Sequence, residues 1–210
     1  MRLPEPPLLL VTDRRQARRP LAAIAEMAFE AGCRWASVRE KDLPISEQIA
    51  LVAEIRARAR PWGARVTLHG NPNDARAAEA DGVHLSAGGN VPAARALLGP
   101  AALIGLSIHS AGEARVLDPA LLDYVIAGPF NESASKPGHL PALGPEGLAA
   151  IVAVSPVPVI AIGGIDAAAA ADALTAGAAG IAVMGGIMRA MDPEAEIRAL
   201  LTALGASNSQ

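Results

Sequence analysis

The chain switches back and forth from end to end between short apolar β-type runs and longer helical runs, and most switches take only a few residues. The β-type runs are Leu8–Thr12, Trp35–Arg39, Arg65–Leu68, Gly82–Leu85, Leu103–Ser107, Tyr124–Ala127, Val157–Ile162 and Gly180–Val183. Between and after them lie helical runs at Leu21–Ala31, Ser46–Arg60, Pro72–Ala80, Val91–Leu98, Gly112–Leu117, Pro145–Val154 and Ala167–Ala176. Ile187–Met191 and Pro193–Leu204 close the chain. Gly32 stops the first helix, Ser46 is the expected N-cap of the second, and Pro72 suits the first turn of the third. Consecutive parallel strands need a crossover, and a helix is the usual one. Eight such units in 210 residues predict a single α/β domain over residues 1–210, a (β/α)8 TIM barrel. Turns such as Ala31-Gly32-Cys33, Ala80-Asp81-Gly82 and Ala176-Gly177-Ala178 recur before strands, a weak internal repeat. A doubly wound open sheet is the alternative, and the count of eight favours closure.

Composition narrows the partners. Hydrophobic residues make up 51% of the chain, enough for a full core, and aromatics only 2%, too few for a base-stacking platform. A net charge of −3 gives no global field for a polyanion, so no nucleic-acid partner is expected. The arginine run at Arg14, Arg15, Arg18 and Arg19 is a local exception, read either as a solvated loop or as a rim near an anion. Ala167–Met188 is the most apolar stretch, but Asp172 and several glycines break it, so no membrane partner is expected. Cys33 is the one cysteine, and the N-terminus has no apolar signal core, which together point to the cytoplasm.

Chemistry is expected at the C-terminal ends of the strands, where barrel sites sit. Near the end of the chain, Val157–Ile162 runs into Gly163-Gly164-Ile165, and Gly180–Val183 into Met184-Gly185-Gly186-Ile187. Glycine lets backbone N–H groups approach a ligand closely, and a helix start carries partial positive charge. Gly163, Gly164, Gly185 and Gly186 are therefore expected to hold a phosphate. Strand alternation puts Ser37, Arg39 and Lys41 on one face of the second strand, and Gly105, Ser107 and His109 on one face of the fifth. Arg39 and Lys41 suit phosphate or diphosphate oxygens; a rim ion pair with Glu40 or Asp42 is the plainer reading. Ser107 can bond a phosphate or a ring nitrogen, and His109 can move a proton near neutral pH. His69 ends the third strand on the same rim, whereas His84, mid-strand, reads more readily as structural. The long sixth loop, Gly128–Leu143, carries Ser135, Lys136 and His139, with Glu132 or His139 as further acid/base candidates.

At these residues the chain resembles the thiamine phosphate synthase/TenI superfamily. The matching pieces are Val11-Thr12-Asp13, Arg39-Glu40-Lys41, Ala80-Asp81-Gly82-Val83-His84-Leu85 and Gly105-Leu106-Ser107-Ile108-His109-Ser110. They continue with Asp123-Tyr124, Gly128-Pro129, Ser135-Lys136, Pro158 to Ile165 and Gly180 to Met184. The resemblance implies a barrel that either joins a pyrimidine diphosphate to a thiazole phosphate with Mg²⁺, expelling diphosphate, or tautomerises a thiazole carboxylate phosphate. It implies diphosphate-side cations at Arg39 and Lys41, a hydroxyl–lysine pair at Ser135-Lys136, and a thiazole-phosphate cradle at the paired glycines. The synthase pattern is broken at Ser37, where a glutamine is usual. It is broken again at His69-Gly70 and Ser86–Asn90, where the metal-binding Asn-Asp and Asp are usual. No metal ligand is therefore expected, and Mg²⁺ enters only if the chain is a synthase. Pro129 stands where TenI tautomerases usually carry histidine.

The expectation drawn from all this is a TenI-like, metal-independent thiazole phosphate tautomerase. His109, His139 and Lys136 are its catalytic candidates; Arg39, Lys41, His69, Ser107, Ser135 and the paired glycines are its binding residues. A synthase with a rearranged metal site, a Schiff-base aldolase using Lys136, and a non-catalytic thiamine phosphate binder are the alternatives. Monomer and homo-oligomer both stay open.

Overall fold

The computed structural model describes residues 3–132 and 141–207. Eight strands, β1 (Leu8–Val11), β2 (Trp35–Val38), β3 (Arg65–His69), β4 (Gly82–Leu85), β5 (Leu103–Ile108), β6 (Tyr124–Ala127), β7 (Val159–Ile162) and β8 (Gly180–Val183), close into a barrel in sequence order. All neighbours are parallel, including β8 against β1. The TIM barrel read from the strand count is the observed fold.

The helices form the outer layer: α1 (Leu21–Glu30), α2 (Ile45–Ala59), α3 (Pro72–Ala77), α4 (Val91–Leu98), α5 (Ala111–Arg115), α6 (Gly144–Val152), α7 (Ala167–Thr175), α8 (Gly185–Arg189) and α9 (Pro193–Ser207). Their buried faces and the outward strand residues make one apolar layer, with Leu8, Ile24, Phe29, Val38, Ile55 and Ile197 among its fully buried members. A second, smaller apolar cluster fills the barrel itself with Leu9, Val11, Trp35, Leu103, Tyr124, Ile126, Ile160 and Ala182. Trp35 and Tyr124 meet edge to face there, with ring centroids 4.7 Å apart, the arrangement that aligns one ring's positive edge with the other's negative face.

Most elements differ from the sequence reading by one to three residues at an end, and at two of them the hydrogen bonding shows why. α2 starts at Ile45 rather than at a Ser46 cap, because the carbonyl of Pro44 already accepts from Glu47 and Gln48. β7 starts at Val159, since Pro158 has no N–H for a ladder; its carbonyl still accepts from Val125.

The N-terminal ends of the strands are fastened by carboxylates. Asp81 precedes β4 and accepts from the backbone N–H of Val66 on β3 at 2.7 Å. Asp123 precedes β6 and does the same to Ile104 on β5 at 2.7 Å, while holding Arg95 at 2.8 Å. Each aspartate thus clasps an even-numbered strand to the odd one before it. Arg95 also donates to the carbonyls of Leu121, Gly99 and Ala102.

Candidate functional site

The C-terminal strand ends surround a cavity of about 610 Å³. Arg39 and Lys41 reach it from the end of β2, His69 from β3, and Ser107 and His109 from β5. Gly163 and Gly164 border it after β7, and Gly185 and Gly186 after β8. The structure therefore brings nine of the expected site residues to one cavity. Ser135, Lys136 and His139 lie outside the described residues.

The rim ion pair with Glu40 or Asp42 does not form at Arg39. Glu40 turns to the other side of the chain, where its buried carboxylate accepts from the backbone N–H of Arg14. Burial pushes that carboxyl up from its ordinary range, against hydrogen bonds from Thr12 and Arg14. Asp42 is taken by Arg14 and Arg15. Those two arginines of the run are thus spent on a local carboxylate, and Arg18 and Arg19 contact Met191. Among the described residues no ion pair takes up Arg39, so its guanidinium faces the cavity with its charge unopposed by a carboxylate. A cation in that setting favours an anionic ligand.

His109 is held by one of its ring nitrogens. Its Nδ1 lies 2.7 Å from the carbonyl oxygen of Gly128, an acceptor only, so Nδ1 carries the proton and Nε2 of the neutral ring keeps its lone pair. Its backbone N–H donates to Glu113 at 2.8 Å. Burial would raise the Glu113 carboxyl, but the hydrogen bonds from His109 and Ser110 outweigh it and hold the group below its ordinary range.

The mid-strand His84 also lines this cavity. It is buried, with Nε2 at 2.9 Å from Ser107 Oγ and Nδ1 at 3.2 Å from the Tyr124 hydroxyl. Desolvation, reinforced by the charges of Lys41 and Arg39, pushes its pKa down to about 3, so the ring is neutral at neutral pH. Arg189 is a second lining residue that sequence reasoning passed over; it reaches Gln16 from α8. The parity of Gly82, His84 and Ser86 along β4 was the available signal for His84.

The glycine bends have a second reason to be glycine. Gly163 and Gly164 sit at φ +106° and +60°, and a Cβ on either would fall 2.7–2.8 Å from Pro129 or Asn131. The loop after β6 lies directly on them, with Phe130 and Asn131 N–H donating to Ile162 and Gly163 carbonyls. Chain packing alone therefore demands small residues at these two positions. Gly186 differs: a Cβ there would meet nothing within 4 Å, so its surroundings are open.

Hard divalent cations prefer several anionic oxygens. The carboxylates on the cavity wall, among the described residues, are Glu132 and Asp166, and Asp166 already caps α7 by accepting from Ala169. At the ends of β3 and β4 the wall offers His69, Ser86 and Ala87 instead. No group of three His, Cys, Asp or Glu among the described residues is placed to hold a metal ion. This donor set does not fit the magnesium that the family's synthase chemistry implies.

Comparison with known proteins places the barrel. The family model for thiamine monophosphate synthase matches residues 8–187. The chain is 40% identical over 200 residues to a putative thiamine-phosphate synthase of Geobacter sulfurreducens, covering 94% of this chain and 93% of that one. It is 40% identical over 179 residues to a bifunctional thiamine biosynthesis protein of Symbiobacterium thermophilum, of whose length it spans 37%. A thiamine phosphate pyrophosphorylase from Pyrococcus furiosus superposes with a TM-score of 0.84 at 29% identity, covering 95% of this chain and 96% of that one. The chain belongs to the thiamine monophosphate synthase family.

Proposed function

We propose that this barrel makes thiamine phosphate from a pyrimidine diphosphate and a thiazole phosphate. The observation that carries the reading is a single cavity with two kinds of anion-seeking wall: Arg39 and Lys41 after β2, and the paired glycine bends after β7 and β8. Two substrates that both carry phosphate need two anion-holding places. The thiazole nitrogen forms the new C–N bond, the C–O bond to diphosphate breaks, and diphosphate leaves with the electron pair. Arg39 and Lys41 take up the charge that develops on the leaving group, the task of preorganised donors in a transition state. Gly185 and Gly186, with Gly163 and Gly164, seat the thiazole phosphate. The names of relatives at 33–40% identity support the same reading. It takes the place of the tautomerase expectation, for which none of these names speaks.

One observation favours a second reading. The bare Nε2 of His109 is a base in place for proton transfer on a thiazole ring, and tautomerisation involves no diphosphate. One assay separates the two. The protein is given both precursors, with Mg²⁺ and with chelator, and thiamine phosphate and diphosphate are measured. In parallel it is given the exocyclic thiazole tautomer and aromatisation is followed by ultraviolet absorbance. Equimolar thiamine phosphate and diphosphate support the synthase; aromatisation without either product overturns it in favour of the tautomerase.

A further inference from the structure

Strand β2 ends at Val38, and residues 39–42 run on as a loop and turn whose side chains take alternate sides. Arg39 and Lys41 line the cavity. Glu40 turns away from it and is buried, at 2% exposure, while Asp42 goes to Arg14 and Arg15. A backbone beyond its ladder needs other fastenings to keep two cations on one side. The Arg39 N–H donates to Thr12 Oγ1 at 2.9 Å, and the Leu43 N–H closes the turn on the Glu40 carbonyl at 2.9 Å. Between these two, the Glu40 carboxylate accepts the Arg14 N–H with both oxygens, at 3.1 and 3.2 Å.

Stability alone gives little reason for an acid at this position. Burying a carboxylate costs free energy unless its oxygens are bonded, and an apolar side chain of like volume often serves a core as well. What an apolar side chain lacks is an acceptor for the Arg14 N–H. That N–H belongs to the turn Asp13–Gln16, closed by the Gln16 N–H on the Asp13 carbonyl at 3.1 Å. The carboxylate therefore ties the loop after β1 to the loop after β2, across 26 residues of sequence and on the side away from the cavity. It also keeps itself off its neighbours: a Glu40 swung to the cavity side would neutralise the cations that flank it.

We infer that Glu40 is a positioning residue for the anion site. Its carboxylate, held by the Arg14 N–H, fixes the 39–42 segment so that Arg39 and Lys41 are presented to the cavity before a ligand arrives. A diphosphate or phosphate then binds two long side chains that are already ordered, and the cost of ordering them is not charged to binding. The inference rests on the reading of Arg39 and Lys41 as anion-holding residues in the function proposed above.

The test titrates inorganic diphosphate into the full chain and its variants by calorimetry. Charge and positioning predict opposite signs. Removing a carboxylate beside two cations should tighten an anion; removing a positioning group should weaken it. Glu40→Ala is expected to weaken diphosphate by about tenfold, the penalty of ordering two long side chains on binding. Unchanged or tighter binding overturns the inference. Glu40→Gln keeps an acceptor oxygen without the charge and is expected to stay within about threefold of the unmodified chain. A loss as large as that of Glu40→Ala overturns the acceptor role. The donor side gives a second route, which serves if Glu40→Ala does not fold. Arg14 is the second residue of its turn, a place that suits proline, so Arg14→Pro removes the N–H and keeps the turn. It is expected to bind diphosphate at least about threefold more weakly than Arg14→Ala, which loses the side chain alone. Equal affinities overturn the inference. Absence of diphosphate binding by the unmodified chain would instead count against the proposed function. Hydrogen exchange then decides the latch: the Arg39 and Leu43 amides are expected to exchange about tenfold faster in Arg14→Pro than in Arg14→Ala, and equal rates overturn it.

Discussion

The two ends of the barrel use charge in opposite ways. At the N-terminal end, Asp81 and Asp123 are consumed by backbone N–H groups, and Arg95 fills its remaining donors with carbonyls. At the C-terminal end, Arg39 and Lys41 face a cavity, and the nearby carboxylates of Glu40 and Asp42 are drawn away to Arg14 and Arg15. Fixed charge at the first end ties neighbouring strands together, and stripping it of one partner leaves the other buried and unmatched. At the second end no carboxylate among the described residues opposes Arg39.

That contrast can be broken most visibly at Asp123. Asp123→Ala leaves Arg95 and the Ile104 N–H unmatched and is expected to cost about 2–4 kcal/mol in urea unfolding. A loss below about 1 kcal/mol would mean the clasp contributes little. Arg39→Met should do the reverse. Diphosphate affinity falls by roughly tenfold or more, the worth of a charge-assisted contact, while stability stays within about 0.5 kcal/mol. A stability loss without an affinity loss would make Arg39 a structural residue.

The third test uses pH. Folded His84 takes no proton above about pH 3, whereas an unfolded histidine takes one below its ordinary value of 6.5. The unfolded state therefore binds more protons between those limits, and stability falls as pH falls through that window. The slope from this one group approaches about 1.4 kcal/mol per pH unit, and His84→Gln should show a shallower acid limb than the unmodified chain. Equal limbs would deny His84 this role. The smallest effect is at Cys33, near the floor. Burial pushes its thiol up to about 11, so a disulfide reagent at pH 8 should label it only once urea has opened the barrel. Rapid labelling of the folded protein would show that this end opens.

The fold was legible because eight apolar runs, each closed by a short turn, leave little choice but a ring of parallel strands. The site was legible in outline for a related reason: period-two alternation says which side of a strand a residue faces, and that placed Arg39, Ser107 and His109 together at the mouth. What stayed hidden depends on contacts across strands. The parity of β4 points His84 inward, but only the register of β4, β5 and β6 brings it to Tyr124 over Gly105. The partner of a carboxylate was equally hidden. Asp42 is one residue from Lys41 in sequence, yet its contacts come from a loop 27 and 28 residues away. Local spacing cannot choose among partners brought in by the closing of the ring.

The clasps at Asp81 and Asp123 bear on how such a molecule can diversify. Each joins two staves of the cask at the base, on the far side from the bowl where small molecules are sorted. A substitution on the lip leaves those joints untouched, so a lineage can exchange metal-seeking acids for imidazole or hydroxyl groups and keep a sound vessel.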